Sequence, residues 1–305
     1  SDDTQMTLVT ANAIYFRQKR LEERGIALPI TSACALGYID WYEKQCNIQV
    51  IDETQIAQRR PFWVCELPAL AARRAPGTTC MTELCRLQSV NNFDFEDKAY
   101  YLRNPVNDSK GCGSVMRIAP FGLAINNLEW AGNLAAFAGA ITHGHPLSHI
   151  SCYFVATLIG ELAYTDYSID EAVDQSLLNM QNNFKYVDDS YVSEFVKLIQ
   201  KAKKFATQNT DDAETIKQLG GGWVAEEAAA IAVYSCLKYP DDIIEAIVCA
   251  VNHDGDSDST GAIAGNIIGA KLGYEGKIRE YYIKNLEIHD EILKMADQLA
   301  EIAVY

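Results

Sequence analysis

Apolar residues recur at intervals of three and four along almost the whole chain, as in the run Met6, Val9 and Ala13 with Leu8 and Ile14 beside it. That spacing lines one face of an α-helix. No stretch alternates apolar and polar positions between turn signals as a β-strand would. The pattern predicts an all-α protein, with helices over 4–19, 31–46, 64–73, 79–88, 116–125, 128–142, 147–165, 169–182, 188–206, 223–238, 241–252, 257–273 and 285–302. The divisions fall at helix breakers: Pro76-Gly77, Gly144 with Pro146, Gly220-Gly221-Gly222, and Pro240 before Asp241-Asp242. Residues 89–115 have no sustained periodicity, and so long a connection is expected to be an ordered loop facing a ligand or else a mobile insertion. With no composition shift and no internal repeat, residues 1–305 read as a single domain.

Two acidic clusters interrupt this pattern. SDDTQMT opens the chain, and NHDGDSDSTGAIAG runs from 252 to 265. Each precedes an apolar periodic stretch, so each could cap a helix, where Ser and Asp satisfy free amide hydrogens and meet the positive end of the dipole. Capping accounts for one Asp more readily than for Asp2 and Asp3 together. The alternating Asp254, Asp256 and Asp258 resemble a calcium loop, yet Ser259 and Gly265 stand where that loop needs glycine and a bidentate Glu. Hard oxygen donors of this kind suit Mg²⁺ or Mn²⁺. Behind them Gly261, Gly265 and Gly269 share one helix face, which predicts close approach of a neighbouring backbone.

Two further stretches carry candidate chemistry. Asn107 to Arg117, NDSKGCGSVMR, is a glycine-containing loop leading into a helix, a place where backbone amides can hold a phosphate, although the P-loop order is missing. Thr142-His143-Gly144-His145-Pro146 holds two of the five histidines, with no second pair spaced to complete a zinc site.

Composition narrows the partners. A formal net charge of -15 opposes binding to a phosphate backbone, so a small or locally matched ligand is expected and nucleic acid is not. Nine scattered cysteines, an odd number, fit a reducing cytoplasm better than a disulfide framework. No apolar run is long enough to cross a membrane, and the polar start SDDTQ does not read as a signal peptide. Ser1 in place of Met points to a trimmed or processed piece, or to numbering that starts late.

Six stretches in order, SDDTQMT (1–7), RAPGTTC (74–80), NDSKGCGSVMRIAPFGL (107–123), THGHP (142–146), GGGWVAEEA (220–228) and GDSDSTGAIAGNIIGA (255–270), resemble the ADP-ribosylglycohydrolase family. The resemblance implies a compact, all-α, multi-helix domain with a central cleft holding two magnesium ions, with Mn²⁺ as a substitute. It implies metal ligands at Ser1, Asp2, Asp3, Asp256, Asp258 and Ser259, with Asp2, Asp3 and Asp256 serving catalysis. It also implies that Asn107, Gly111, Gly113, Ser114, Met116, Arg117 and His143 contact substrate. The family places a glycine-rich helix with an acidic residue before the SDDTQ motif. The expected activity is release of ADP-ribose from a modified protein side chain, arginine favoured, by a monomer that takes ADP-ribosylated protein or free ADP-ribose. A second reading is a binding or immunity protein using this fold against an ADP-ribosylating toxin, and a third is a two-metal hydrolase of small nucleotides.

Overall fold

A computed structural model describes residues 1–26, 28–48, 62–89, 99–274 and 283–303. Among them the first helices are α1 (Asp2–Arg24), α2 (Ile30–Gln45), α3 (Pro68–Ala71), α4 (Thr78–Gln88) and α5 (Tyr100–Arg103). The middle of the chain forms α6 (Ala119–Ala124), α7 (Leu128–Ala140), α8 (Pro146–Tyr164), α9 (Ile169–Asn183) and α10 (Asp189–Ala206). Then follow α11 (Asp212–Leu219), α12 (Ala225–Lys238), α13 (Ile243–Val251), α14 (Ser257–Leu272) and α15 (His289–Ile302), while Trp63–Glu66 and Cys112–Arg117 are 3-10 turns. No named strand occurs among the described residues, where pairing of β type is confined to an isolated bridge between Gly111 and Val224.

The hub is α8, buried continuously from Leu147 to Leu162. Such burial on every side places the helix at the centre, and it packs against α6, α7, α9, α10, α12 and α14. Gly122 and Gly160 allow the tight crossing of α6 on α8: a Cβ on Gly122 would fall 2.2 Å from the Ala156 carbonyl oxygen. One continuous cluster of buried apolar side chains runs from Met6 to Ile302.

Several expectations need correction. The predicted helix over 64–73 is a 3-10 turn followed by the four-residue α3, because Pro68 lacks an amide hydrogen and can only start a helix. The helix expected over 116–125 likewise divides into a 3-10 turn and α6, with Pro120 in the first turn. Helix α11 was not foreseen; Asp211 caps it by accepting from the Glu214 amide. Helix α1 begins two residues earlier than predicted, so the first acidic pair forms its opening turn. Of the long loop, residues 90–98 lie outside the described residues, and 100–103 and 112–117 are helical turns. The glycine stripe of α14 does not admit another backbone. Gly265 and Gly269 meet nothing within 4 Å, and the helix buries its Ile263, Ala264, Ile267 and Ile268 face instead.

All nine cysteines are free, and no described helix is long and apolar enough to cross a membrane. The two glycine environments predict opposite outcomes in denaturant unfolding. Gly122→Ala is expected to destabilise the fold by about 1–3 kcal/mol through overpacking, whereas Gly265→Ala is expected to stabilise it by up to about 1 kcal/mol through helix propensity.

Candidate metal-binding cleft

The two acidic clusters, separated by most of the chain, are the first turns of α1 and α14, which lie against each other. Their dipoles point positive ends at the same place, which lowers the cost of gathering carboxylates there. Asp2 and Asp3 are buried, at 4% and 1% exposure, while Asp258 is exposed. One oxygen from each of Asp2, Asp3 and Asp258 comes within 4.8 Å of the others. Ser259 Oγ donates to Asp3 Oδ1 at 2.8 Å and Ser1 Oγ donates to Asp3 Oδ2 at 2.8 Å, so both Asp3 oxygens are held in place.

Gln5 carries the second half of the construction. Its amide donates to the Ala69 and Ala72 carbonyls at 2.7 and 2.9 Å, while its oxygen accepts from Trp41 Nε1 at 3.0 Å. This fastens α3 to α1 and brings the following loop over the acidic turn, where the Arg74 carbonyl accepts from the Asp2 amide at 3.2 Å. Ala75 in that loop has φ 56°, a left-handed conformation that costs a residue with a Cβ.

On the other side, the Gly220-Gly221-Gly222 turn receives the α14 entry. The Gly221 carbonyl accepts from the Asp256 amide at 2.8 Å, and a Cβ on Gly255 would lie 1.8 Å from that carbonyl oxygen, so only glycine fits beside Asp256. Glu227 completes the turn by accepting from the Gly221 and Gly222 amides. Asp256 itself accepts from the Cys112 thiol at 2.7 Å.

Together these elements line a cleft of about 520 Å³. Of the residues expected to contact substrate, Gly111, Gly113, Met116 and His143 line it, as do Asp2, Asp3, Asp256, Asp258 and Ser259. Three others do not line it, and the structure corrects their roles. Asn107 spends its side chain on the Thr142 carbonyl and on the Ser109 and Gly144 amides, which makes it a loop brace. Ser114 is fully buried, donating to the Gly111 carbonyl and accepting from Ser148. Arg117 is fully buried with its guanidinium 4.2 Å from the Tyr38 ring centroid and Nη2 at 2.7 Å from Thr142 Oγ1. Ser1 is exposed and reaches the cluster through Asp3. Asp254, which was not assigned a role, lies outside the cleft lining.

Sequence reading missed Cys112, Gly77, Thr78, Thr79 and Cys80, which also line the cleft, and the full weight of Trp223, 63% exposed at its edge. The RAPGTTC, NDSKGCGSVMR and GGGW stretches contain them, but nothing in a run of small residues indicates which way it faces.

Crowding shows in the acid strengths. Burial, then the Asp3 charge, pushes Asp2 up to about 7. Burial and Asp258 raise Asp3. Burial and the hydrogen bond with Asp258 push Asp256 up to about 7. Burial also works to raise Asp258, but hydrogen bonds from Asp256 and from the Ser259 amide carry it below the usual range. An all-oxygen donor set with more negative charge than its own hydrogen bonds relieve fits a hard divalent cation, and Asp2, Asp3 and Asp258 are the residues that could hold one, with Asp256 at the edge.

Fold and cleft define an all-helical protein in which two acidic turns far apart in the sequence meet in a carboxylate-lined site. The chain belongs to the ADP-ribosylglycohydrolase family, whose model matches residues 1–304. An uncharacterized protein of Archaeoglobus fulgidus is 27% identical over 195 residues, covering 64% of this chain and 59% of its own length. ADP-ribosylhydrolase ARH3 of Bos taurus is 22% identical over 222 residues, covering 64% of this chain and 58% of its own length. The matched stretches thus span under two thirds of these curated relatives. A solved ADP-ribosylglycohydrolase-related protein complex shares the fold with TM-score 0.56 and 20% identity, covering 100% of this chain and 82% of the solved one.

The carboxyls of Asp2 and Asp256 predict a pH response. Because folding raises them from the ordinary carboxylate range to about 7, the folded state holds their protons more tightly than the unfolded state. Their contribution to stability is therefore present at acid pH and is lost as pH rises through about 7. Chelator-treated protein is expected to melt at progressively lower temperature between pH 5 and pH 8, and millimolar Mg²⁺ to flatten that slope. Asp2→Asn should stabilise the chelated protein at pH 8 and remove most of the Mg²⁺ response, as read by thermal unfolding.

Proposed function

We propose that this chain is a magnesium-dependent hydrolase that releases ADP-ribose from modified protein, with arginine-linked ADP-ribose as its substrate. The observation that carries this reading is the convergence of Asp2, Asp3 and Asp258 within 4.8 Å in a cleft large enough for a nucleotide-sized ligand. Two Mg²⁺ ions, or Mn²⁺ in their place, would be held by these three and Asp256, with Ser259 and Ser1 orienting Asp3. Bound there, divalent cations would orient ribose hydroxyls and make water a better nucleophile.

The remaining work falls to the protein. Water adds to the anomeric carbon as the bond to the acceptor nitrogen breaks; a proton leaves the water and one is delivered to the departing group. Asp256 is suited to take that proton, since it stands at the edge of the carboxylate group with one oxygen held by Cys112. Gly111 and Gly113 offer backbone close to the ligand, and the exposed Trp223 ring provides a flat wall at the mouth. The net charge of -15 supports a cationic acceptor such as arginine, which the protein's field would draw toward an acidic opening. Nine unpaired thiols support a reducing compartment such as the cytoplasm, and we expect the monomer to be the working unit.

The test is release of free ADP-ribose from arginine-ADP-ribosylated protein, run beside a protein carrying the same group on an O-linked acceptor. Mg²⁺-dependent release from the arginine linkage, reduced at least about 100-fold by Asp256→Asn, is the expected result. Equal rates on both acceptors would remove the arginine preference. Binding of modified protein without turnover would favour the binding-protein reading.

A further inference from the structure

We infer that Arg117 and Thr142, neither of which lines the cleft, are positioning residues that set His143 as an Nε2–H donor into it, where the ring binds an acceptor oxygen of the ADP-ribosyl group and transfers no proton. The inference deepens the proposed function and rests on it only for the identity of the ligand.

A guanidinium donates and never accepts, so at 2.7 Å Thr142 Oγ1 is the acceptor for Arg117 Nη2. The Thr142 hydroxyl still has its own proton to place, in a fully buried position. Among the described residues the acceptor left to it is His143 Nδ1, 2.8 Å away. If Nδ1 carried the hydrogen instead, both would point at the threonine oxygen and a buried hydroxyl proton would have no acceptor, a costly arrangement. Nδ1 therefore accepts, and the ring hydrogen of the neutral imidazole is on Nε2.

The surroundings aim that hydrogen at the ligand. Nε2 lies 3.2 Å from the point a Gly111 Cβ would occupy, and 3.5 Å from that of Gly113, so two residues without side chains leave the nitrogen reachable from the cleft that His143 lines. His149 holds the ring's own backbone: since a carbonyl can only accept, its Nε2–H donates to the His143 carbonyl at 2.8 Å. The groups facing the imidazole are Arg117 from the 3-10 turn and His149 from α8, with no carboxylate hydrogen-bonded to it among the described residues. Burial, then Arg117 and His149, push His143 down to about 3, which keeps it neutral near pH 7. A neutral ring locked in one tautomer is a fixed hydrogen-bond donor, matched to a phosphate or hydroxyl oxygen and unsuited to general acid-base work.

The tautomer is directly measurable. Protein labelled with ¹⁵N-histidine has five histidines to resolve within residues 1–305, and His143→Gln identifies the signal of interest by its loss. At pH 7 the expected spectrum has Nε2 protonated and Nδ1 bare, unchanged down to pH 5. Thr142→Val is expected to shift His143 toward a mixture of tautomers and to weaken ADP-ribose binding about tenfold by calorimetry, while Thr142→Ser restores both. An Nδ1–H or doubly protonated His143 at pH 7 in the unsubstituted protein, or a Thr142→Val protein with the original tautomer, overturns the inference. Should Thr142→Val not fold, the unsubstituted spectrum and Thr142→Ser decide. Since the spectrum needs no ligand, an Nε2–H His143 in a protein that releases no ADP-ribose would support the relay and count against the hydrolase, and an Nδ1–H ring in an active enzyme would do the reverse.

Discussion

The hydrogen bond from Ser259 to Asp3 joins, inside the protein, two helix N-termini that lie far apart in the sequence. Neither acidic turn is a site alone. Asp3 accepts from Ser1, just ahead of α1, and from Ser259 on α14, and the cleft exists only where these helices meet. The surrounding architecture keeps that junction in place: α8 fills the centre, Gln5 ties α3 and its loop across one side, and the triple-glycine turn receives Asp256 on the other. Closing so long a loop costs entropy that the assembled core offsets.

That junction is unfavourable in its own terms. Folding moves Asp2 and Asp3 out of water and beside each other, and burial raises both acids. A sequence selected for stability alone would place neutral caps there, since one carboxylate per helix start is enough to meet the dipole. The strained Ala75 and the glycine demanded at position 255 point the same way. Departures from local preference concentrated at one cleft mark where the fold gives up stability for chemistry.

Most helices were legible in the sequence because a buried stripe imposes its period on composition, and α7 to α10 fall close to their predicted limits. The acidic clusters were legible too, as residues whose number exceeded what capping needs. What could not be read was orientation within short irregular segments. The stretch from Gly111 to Arg117 looks like one ligand-facing motif, yet it is a 3-10 turn with three residues per turn, so Gly113 and Met116 share the cleft side while Ser114 and Arg117 share the core side. Asn107 was misread for a related reason: its amide meets residues near 144, and no spacing rule on one chain shows that. Helix α11, short and rich in charge, has too small a buried face to stand out.

The buried Arg117 brings these threads together. A guanidinium with no exposure is expensive unless its donors are occupied; here the two Nη groups face a hydroxyl, a carbonyl and two sulfurs and the plane lies on the Tyr38 ring, while the buried Nε has no hydrogen-bond partner among the described residues. No carboxylate within ion-pair distance neutralises it among the described residues, so its field extends to its neighbours. After burial, it is what holds down the protonation of His143 on one side, and it is felt by Cys80, which also senses the charges of Asp2 and Asp3, on the other. A cation sealed behind an acidic cleft thus acts on the site without entering it. Placing the charge one layer back leaves the cleft wall itself to glycine, methionine and a neutral imidazole, so that a ligand meets backbone and a fixed donor where an exposed arginine would compete for the same carboxylates.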